Sequence, residues 1–98
     1  MPKIYEYLGI TIMFYSDEHE PIHIHAIYGE AAIKVAFFLK EGEIYRVTYK
    51  EIRGSFSSSK LKQLKKFISK YKKDIVLAWD NYFIWKTKVK FIRITKKL

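Results

Sequence analysis

The three histidines of the chain are concentrated in one short stretch, at positions 19, 23 and 25. His23 and His25 are separated by one isoleucine, so in a strand both side chains project from the same face, about 7 Å apart. Imidazole titrates near neutral pH, and such a pair can act as general base and general acid in the cleavage of a phosphodiester. With His19 or Asp17 orienting one ring, the pattern predicts a metal-independent ribonuclease.

Two further interpretations of the histidine cluster stay open at this point. In the first, His19, His23 and His25 bind one metal ion, because neutral imidazole is a common metal ligand. In the second, the histidines are structural: half buried, they hydrogen-bond the carboxylates of the preceding loop and hold the turn in place. No cofactor is predicted, since the sequence has no phosphate-binding glycine loop, dinucleotide motif or nucleophile elbow.

A run of lysines is the second candidate site. Residues 60–73 contain seven lysines and no acidic residue. On a helix such like charges repel one another and cost stability unless an anion lies nearby, so we predict contact with the phosphate backbone of a nucleic acid. The predicted nucleic-acid-binding residues lie on the helix and in the segment after it: Lys62, Lys65, Lys66, Lys70, Lys72, Lys73, Lys88, Lys90 and Arg93. The alternatives are a cognate small acidic protein that docks on the same face, and a face that is merely solvated.

The distribution of charge supports an anionic partner. The 98 residues carry a formal charge of +9, with six basic and eight acidic residues before position 60 and thirteen basic and two acidic residues from there onward. Sixteen of the nineteen basic residues are lysine, which lacks the planar fork with which arginine reads guanine. We therefore expect backbone contact rather than base recognition. The absence of cysteine excludes disulfide bonds, thiolate metal sites and cysteine nucleophiles.

The elements that would position these residues follow from the alternation of apolar and polar residues. Segments at residues 4–15, 23–28, 31–39 and 44–49 predict an antiparallel meander of about four strands. Serines at positions 57–59 predict the start of a long helix that runs to about residue 86, and residues 89–95 predict a final edge strand. We predict a two-layer α+β fold in which residues 1–98 form a single domain, with the helix packed on one face of the sheet.

The predicted helix changes character along its length. An apolar stripe lies opposite the lysines and continues to the end of the helix: Leu61, Leu64, Phe67, Ile68, Tyr71, Ile75, Ala78, Trp79, Tyr82 and Trp85. From residue 76 onward apolar residues surround the helix, which indicates burial on two sides, either against the sheet or in a homodimer interface formed by residues 76–85. No apolar run reaches the roughly 18 residues of a membrane span. The first residues also lack the pattern of a signal peptide, so we expect a cytoplasmic protein without membrane contact.

The histidine segment also carries a family resemblance. A strand that ends at Tyr15 is followed by Asp17-Glu18-His19-Glu20-Pro21-Ile22-His23-Ile24-His25-Ala26 and then by Tyr28-Gly29-Glu30. This order resembles the signature of the bacterial family called domain of unknown function 4160, which reads approximately Asp-His-x-Pro-Pro-His-x-His-Ala-x-Tyr-Gly. Two positions depart from the signature: Glu18 intervenes between Asp17 and His19, and Ile22 replaces the second proline.

The resemblance covers nearly the whole chain and implies a small prokaryotic protein whose chemistry is not established. Members are often encoded beside a second short protein, of the family called domain of unknown function 2442, and the pair is proposed to act as a toxin–antitoxin-like module. The motif carries over to the following positions, without an assigned catalytic role: Asp17, His19, Pro21, His23, His25, Tyr28 and Gly29. The implied role as a component of such a pair agrees with the predicted nucleic-acid binding, because small toxins commonly act on RNA.

Overall fold

The protein is described by a computed structural model that covers residues 2–14 and 21–98. Within these ranges six strands and one helix follow one another: β1 (Lys3–Tyr7), β2 (Ile10–Met13), β3 (Ile22–Tyr28), β4 (Ala31–Lys40), β5 (Glu43–Arg53), α1 (Ser58–Phe83) and β6 (Ile92–Ile94). The strands form one sheet in the order β5-β4-β3-β2-β1-β6, and α1 packs on one of its faces. The predicted α+β class, with a long helix on an antiparallel meander, is confirmed.

The meander has five strands rather than about four, because residues 4–15 fold back on themselves. β1 and β2 are joined by Leu8 and Gly9, whose φ angles are both positive, at 49° and 85°. Two such residues form the mirror-image turn whose twist matches that of paired strands. A Cβ at Gly9 would lie 3.0 Å from Cε1 of Tyr28, so a larger residue there would also displace the tyrosine ring.

The sixth strand pairs with β1 in parallel, with Tyr5 opposite Ile92 and Tyr7 opposite Ile94. The chain leaves the meander at β5, on one edge of the sheet, and α1 carries it across to the opposite edge. A parallel neighbour needs a long crossover of this kind. The predicted final edge strand is thus confirmed, and it is limited to residues 92–94.

α1 begins where the sequence predicts and ends earlier. The hydroxyl of Ser57 accepts a hydrogen bond from the backbone N–H of Lys60 at 3.2 Å, which caps the first turn. At the other end the N–H of Trp85 donates to the carbonyl of Asp80 at 3.2 Å, and Lys86 has a positive φ of 57°. The left-handed conformation of Lys86 turns the chain away from the helix axis. Trp85 therefore does not continue the apolar stripe, and its side chain is 71% exposed.

The second half of α1 packs against the sheet, which was one of the two interpretations of its apolar character. Ile75, Trp79 and Phe83 are buried, and the ring of Phe83 lies 5.6 Å from that of Phe14, measured between centroids. The homodimer contact through residues 76–85 stays a prediction; the large apolar side chains of that segment that remain exposed are Leu77, Ile84 and Trp85. In the described part of the chain, no helix combines the length and apolar character needed to cross a membrane.

Phe67 is the centre of the contact between α1 and the sheet. Its ring is fully buried, and its centroid lies 5.3 Å from that of Tyr5, 5.4 Å from that of Tyr7 and 4.9 Å from that of Tyr71. Aromatic pairs attract at these separations. The buried layer continues across the strands through Ile10, Ile12, Phe14, Ile22, Ile24, Ala26, Ile33, Val35 and Phe37. α1 thus covers one face of the sheet, and the intervening residues of each strand point to the other face.

Replacing Phe67 with alanine is expected to lower the free energy of unfolding by about 3–5 kcal/mol, because a large cavity opens where helix and sheet meet. Chemical denaturation followed by circular dichroism measures this change. The control is Leu77→Ala on the same helix, where the side chain is 60% exposed; it is expected to change the free energy of unfolding by less than about 0.5 kcal/mol. Equal losses in the two variants would contradict a central role for Phe67.

Candidate functional site

The side of the sheet that points away from α1 is called here the open sheet face. Strand alternation and pairing put these residues on it: Lys3, Glu6, Thr11, Met13, His23, His25, Ile27, Ala32, Lys34, Ala36, Phe38, Arg46, Thr48, Lys50, Arg53 and Arg93. The residues between the histidines and beside them on β3 belong to the core: Ile22, Ile24 and Ala26. Within residues 2–14 and 21–98, no helix or strand covers the open sheet face.

His23 and His25 lie together on this face. Their ring centroids are 6.3 Å apart, and the ring planes are inclined at 45°. A phosphate whose oxygens each accept a hydrogen bond of about 2.8 Å can bridge two ring nitrogens at such a separation. The two histidines, called the His pair below, are therefore close enough together for one phosphate to contact both rings. Asp17 and His19, which the sequence suggests as orienting residues, lie outside the described residues.

His23 is anchored in the fold. It is 5% exposed, and its Nδ1 donates a hydrogen bond to the carbonyl oxygen of Pro21 at 3.0 Å. The neutral ring therefore carries its proton on Nδ1 and a lone pair on Nε2. This bond ties the ring to the residue that precedes β3, which supports a structural role for His23. Proton transfer by His23 would then involve Nε2.

His25 is half-buried and lies in positive surroundings. It pairs across the sheet with Met13 on β2 and with Lys34 on β4. Burial lowers the pKa of His25. Three neighbours lower this pKa further: His23, Lys34 and Arg53. The ring is therefore neutral near pH 7 and able to accept a proton.

The predicted metal site depends on a residue outside the described ranges. No group of three His, Asp or Glu side chains in residues 2–14 and 21–98 is arranged to hold a metal ion. The proposed ligands are His19, His23 and His25, of which His19 falls in the segment 15–20. Metal binding by this set stays a prediction.

The predicted basic side of α1 is a surface of six lysines, called here the helix lysine face: Lys62, Lys65, Lys66, Lys70, Lys72 and Lys73. These residues lie opposite the buried stripe that contains Phe67. Lys62, Lys66 and Lys70 follow one another at intervals of about one turn, so their Cα atoms rise by about 6 Å from one to the next. The helix thus presents a row of positive charges to solvent.

Two aromatic rings support the helix lysine face. The Nζ atom of Lys65 lies 5.3 Å from the ring centroid of Tyr49, and that of Lys70 lies 5.9 Å from the ring centroid of Tyr71. Ammonium groups are attracted to ring faces at these distances. Burial raises the pKa of Tyr49 to about 12, so this phenol stays neutral at physiological pH. The two rings therefore attract the ammonium groups of Lys65 and Lys70 and help to position them.

Lys60, the first lysine of the run, belongs to the fold rather than to the helix lysine face. Its Nζ donates a hydrogen bond to the backbone carbonyl of Leu8 at 3.0 Å and lies 4.3 Å from the ring centroid of Tyr28. These two contacts fasten the start of α1 to the turn between β1 and β2.

The basic residues after α1 lie on two other surfaces. Lys88 and Lys90 line a groove between α1 and β6, together with Asp74. Arg93 lies on the open sheet face, where its guanidinium nitrogens are 3.3 and 3.4 Å from the carboxylate oxygens of Glu6. The predicted nucleic-acid-binding residues are thus divided among three surfaces.

The sheet separates the helix lysine face from the His pair. The lysines lie on the outer side of α1, whereas His23 and His25 lie on the side of the sheet that α1 leaves uncovered. The principal-axis extents of the molecule are 34, 25 and 24 Å. A nucleic acid that lies straight along one surface therefore does not reach the other, and each surface needs its own test.

The family of the chain is decided by a match over most of its length. Residues 9–80 match the family described as Domain of unknown function (DUF4160). The chain belongs to the DUF4160 family. The resemblance found in the sequence is thus confirmed, and the matched range contains both the His pair and the helix lysine face. No curated protein and no solved structure matches the chain.

In this DUF4160 protein three basic residues that the sequence pattern does not single out lie near the His pair: Lys34, Lys50 and Arg53. Counting outward from the hairpin turn at Gly29 is enough to place Lys34 opposite His25. Counting residues from a hairpin turn does not predict the position of Lys50. It lies opposite Lys34 only because a bulge at Tyr45 shifts the register of β5 by one residue.

Because the pKa of His25 is lowered in the folded DUF4160 protein, we expect stability to decrease as the pH falls through about 6.5. Between the lowered value and about 6.5 the unfolded chain binds more protons than the folded one, so acidification favours unfolding. His25→Gln removes this contribution. The parent is therefore expected to lose stability relative to the variant between about pH 8 and about pH 5.5.

Chemical denaturation of parent and His25→Gln at several pH values measures this difference. Ile27→Val, two residues away on the same strand face, serves as the control and is expected to follow the pH dependence of the parent. A difference between parent and His25→Gln that does not change with pH would contradict the lowered pKa.

Proposed function

We propose that this DUF4160 protein binds nucleic acid through the helix lysine face, as one component of a toxin–antitoxin-like pair. The main support for the proposal is that residues 58–73 of α1, which include all six lysines of the helix lysine face, contain no acidic side chain. Like charges at helical spacing destabilise a helix. A bound polyanion offsets this repulsion, which supports a partner with closely spaced negative charges. The pairing with a second protein rests on the family resemblance.

The shape of the helix lysine face suits a phosphate backbone. From Lys62 to Lys73 the helix axis rises by about 17 Å, which is long enough to follow several phosphates. Lysine carries a compact charge on a flexible stem and contacts phosphates without reading bases. We therefore infer binding that is independent of sequence and that weakens steeply as the salt concentration rises.

Changing Lys62, Lys66 and Lys70 together to glutamine is expected to weaken binding to a generic duplex by about tenfold or more near 100 mM salt, because three phosphate contacts are lost. The slope of log K against log salt concentration is expected to become shallower by about three units. Fluorescence anisotropy with a labelled duplex over a series of salt concentrations measures both quantities.

The matched control changes Lys40, Lys96 and Lys97 to glutamine, which removes the same charge from exposed positions outside α1. The proposal is wrong if the parent binds no duplex at low salt, if its affinity is independent of salt, or if the control loses as much affinity as the helix variant. An acidic protein that binds the parent and not the helix variant, in the absence of nucleic-acid binding, would favour the docking of a cognate acidic partner.

A second candidate function, the cleavage of RNA, is supported by the His pair. The neutral ring of His25 can accept the proton of a ribose 2′-hydroxyl, and the 2′-oxygen then bonds to the adjacent phosphorus. The bond from phosphorus to the 5′-oxygen of the next nucleotide breaks, and protonated His23 gives its Nε2 proton to that oxygen. The products are a 2′,3′-cyclic phosphate and a free 5′-hydroxyl, and the step needs no metal ion.

We expect the purified protein to cleave RNA in the presence of EDTA, and His25→Gln to slow cleavage by about 100-fold or more, because the general base is lost. Ile27→Val is the control on the same strand face. Cleavage that is absent from the parent, or unchanged in His25→Gln, would exclude catalysis by the His pair. Gel analysis of the products, with detection of the cyclic phosphate, is the measurement.

A further inference from the structure

The open sheet face carries a second basic cluster, on the side of the molecule away from the helix lysine face. Lys34 lies beside His25 in the register of β3 and β4, and Lys50 lies beside Lys34 in the register of β4 and β5. Neighbouring strands are about 4.8 Å apart, so these three side chains form one row across the sheet. Arg53 follows on β5, opposite Ala32.

This arrangement of charges is unfavourable by itself. Lys34 and Lys50 lie directly opposite each other on paired strands, where like charges repel. Residues 23–27, 32–38 and 46–53 contain a single acidic residue, Glu51, and it pairs with Ile33 on the side of α1. An anion on the open sheet face would relieve this repulsion.

Two small, buried residues flank Lys34 in the middle of the open sheet face. Ala32 and Ala36, on either side of Lys34 in β4, are 3% and 6% exposed. Arg53 is held at the rim, because its Nε donates a hydrogen bond to the backbone carbonyl of Glu30 at 2.8 Å. Because alanine side chains are short, the ammonium groups of Lys34 and Lys50 are the groups that a chain of phosphates would contact here.

Aromatic rings lie at the far end of the same face. The ring centroid of Phe38 is 6.4 Å from that of Tyr45, which is 64% exposed, and the guanidinium carbon of Arg46 is 5.7 Å from the Phe38 centroid. Aromatic rings and arginine planes on a sheet stack with unpaired bases, which single strands present and duplexes bury. The open sheet face thus combines cations for phosphates with rings for bases.

We propose that the open sheet face binds single-stranded RNA, with phosphates on Lys34, Lys50 and Arg53 and a base on Phe38. RNA is favoured over DNA because only RNA has the 2′-hydroxyl that the neighbouring His pair can deprotonate. The inference rests on the proposed function for its class of ligand and deepens the second candidate by adding a substrate site. The helix lysine face is a separate surface, with the sheet and the body of α1 between the two.

The test uses a fluorescently labelled oligouridylate of about ten nucleotides as the probe. The sheet variant changes Lys34 and Lys50 to glutamine. It is expected to bind the probe about tenfold or more weakly than the parent near 100 mM salt, and to reduce the slope of log K against log salt by about 1.4. The helix variant at positions 62, 66 and 70 is expected to lose less affinity for the probe than the sheet variant. A control with Lys96→Gln and Lys97→Gln, at exposed positions outside the sheet, is expected to bind the probe like the parent.

A second substitution separates stacking from charge. Phe38→Ala is expected to weaken oligouridylate binding by about fivefold or more while the salt slope stays unchanged, because stacking is not ionic. Circular dichroism and thermal unfolding establish that each variant is folded. If the double sheet variant does not fold, Lys50→Gln alone, at an exposed position, is expected to reduce the slope by about 0.7.

The outcomes distinguish this inference from the proposed function. A larger loss of oligouridylate affinity in the sheet variant than in the helix variant supports the inference whatever the result with duplex. A sheet variant that binds like the parent overturns the inference, and loss of duplex binding in the helix variant then still supports the proposed function. Equal affinity for oligodeoxythymidylate overturns the assignment to RNA, and tighter binding of polyglutamate than of oligouridylate overturns it in favour of an acidic protein.

Discussion

The burial of one face of the sheet beneath α1 determines where the polar chemistry of this chain lies. Phe67 holds the two layers together through its contacts with Tyr5, Tyr7 and Tyr71. Since side chains alternate along a strand, each apolar residue that enters this core directs its neighbours to the opposite side. His23 and His25 reach the open sheet face because the isoleucines and the alanine around them are buried. The same alternation carries the basic residues of β4 and β5 to that face.

The two basic surfaces differ in their physical character. The helix lysine face is a convex row of flexible ammonium groups, which suits attraction without a fixed geometry. On the open sheet face, by contrast, Arg53 is held by a hydrogen bond to Glu30 and His23 by one to Pro21. Side chains held in this way lose less freedom when a ligand binds, so they suit a defined complex. A protein that first attracts a polyanion and then positions it would need both kinds of surface.

Local sequence patterns predict part of the structure. They predict the α+β class, the cap of α1 at Ser57 and the strand that carries the His pair, because each depends on residues close together in the chain. The end of α1 depends on the left-handed conformation of Lys86, which no local preference indicates. The bulge at Tyr45 likewise depends on the tertiary structure: it directs Val47 and Tyr49 toward α1 and thereby brings Lys50 to the open sheet face. This is why the position of Lys50 beside Lys34 is visible only in the fold.

The irregular register of β5 also affects one edge of the sheet. β5 and β6 are the two edges of the sheet. A long, regular edge offers unpaired backbone groups to another chain and can template the growth of fibrils. β5 departs from regular pairing at two places along its eleven residues, and β6 has only three residues. Both edges therefore offer another chain a less regular template for strand pairing than a long, regular edge strand would.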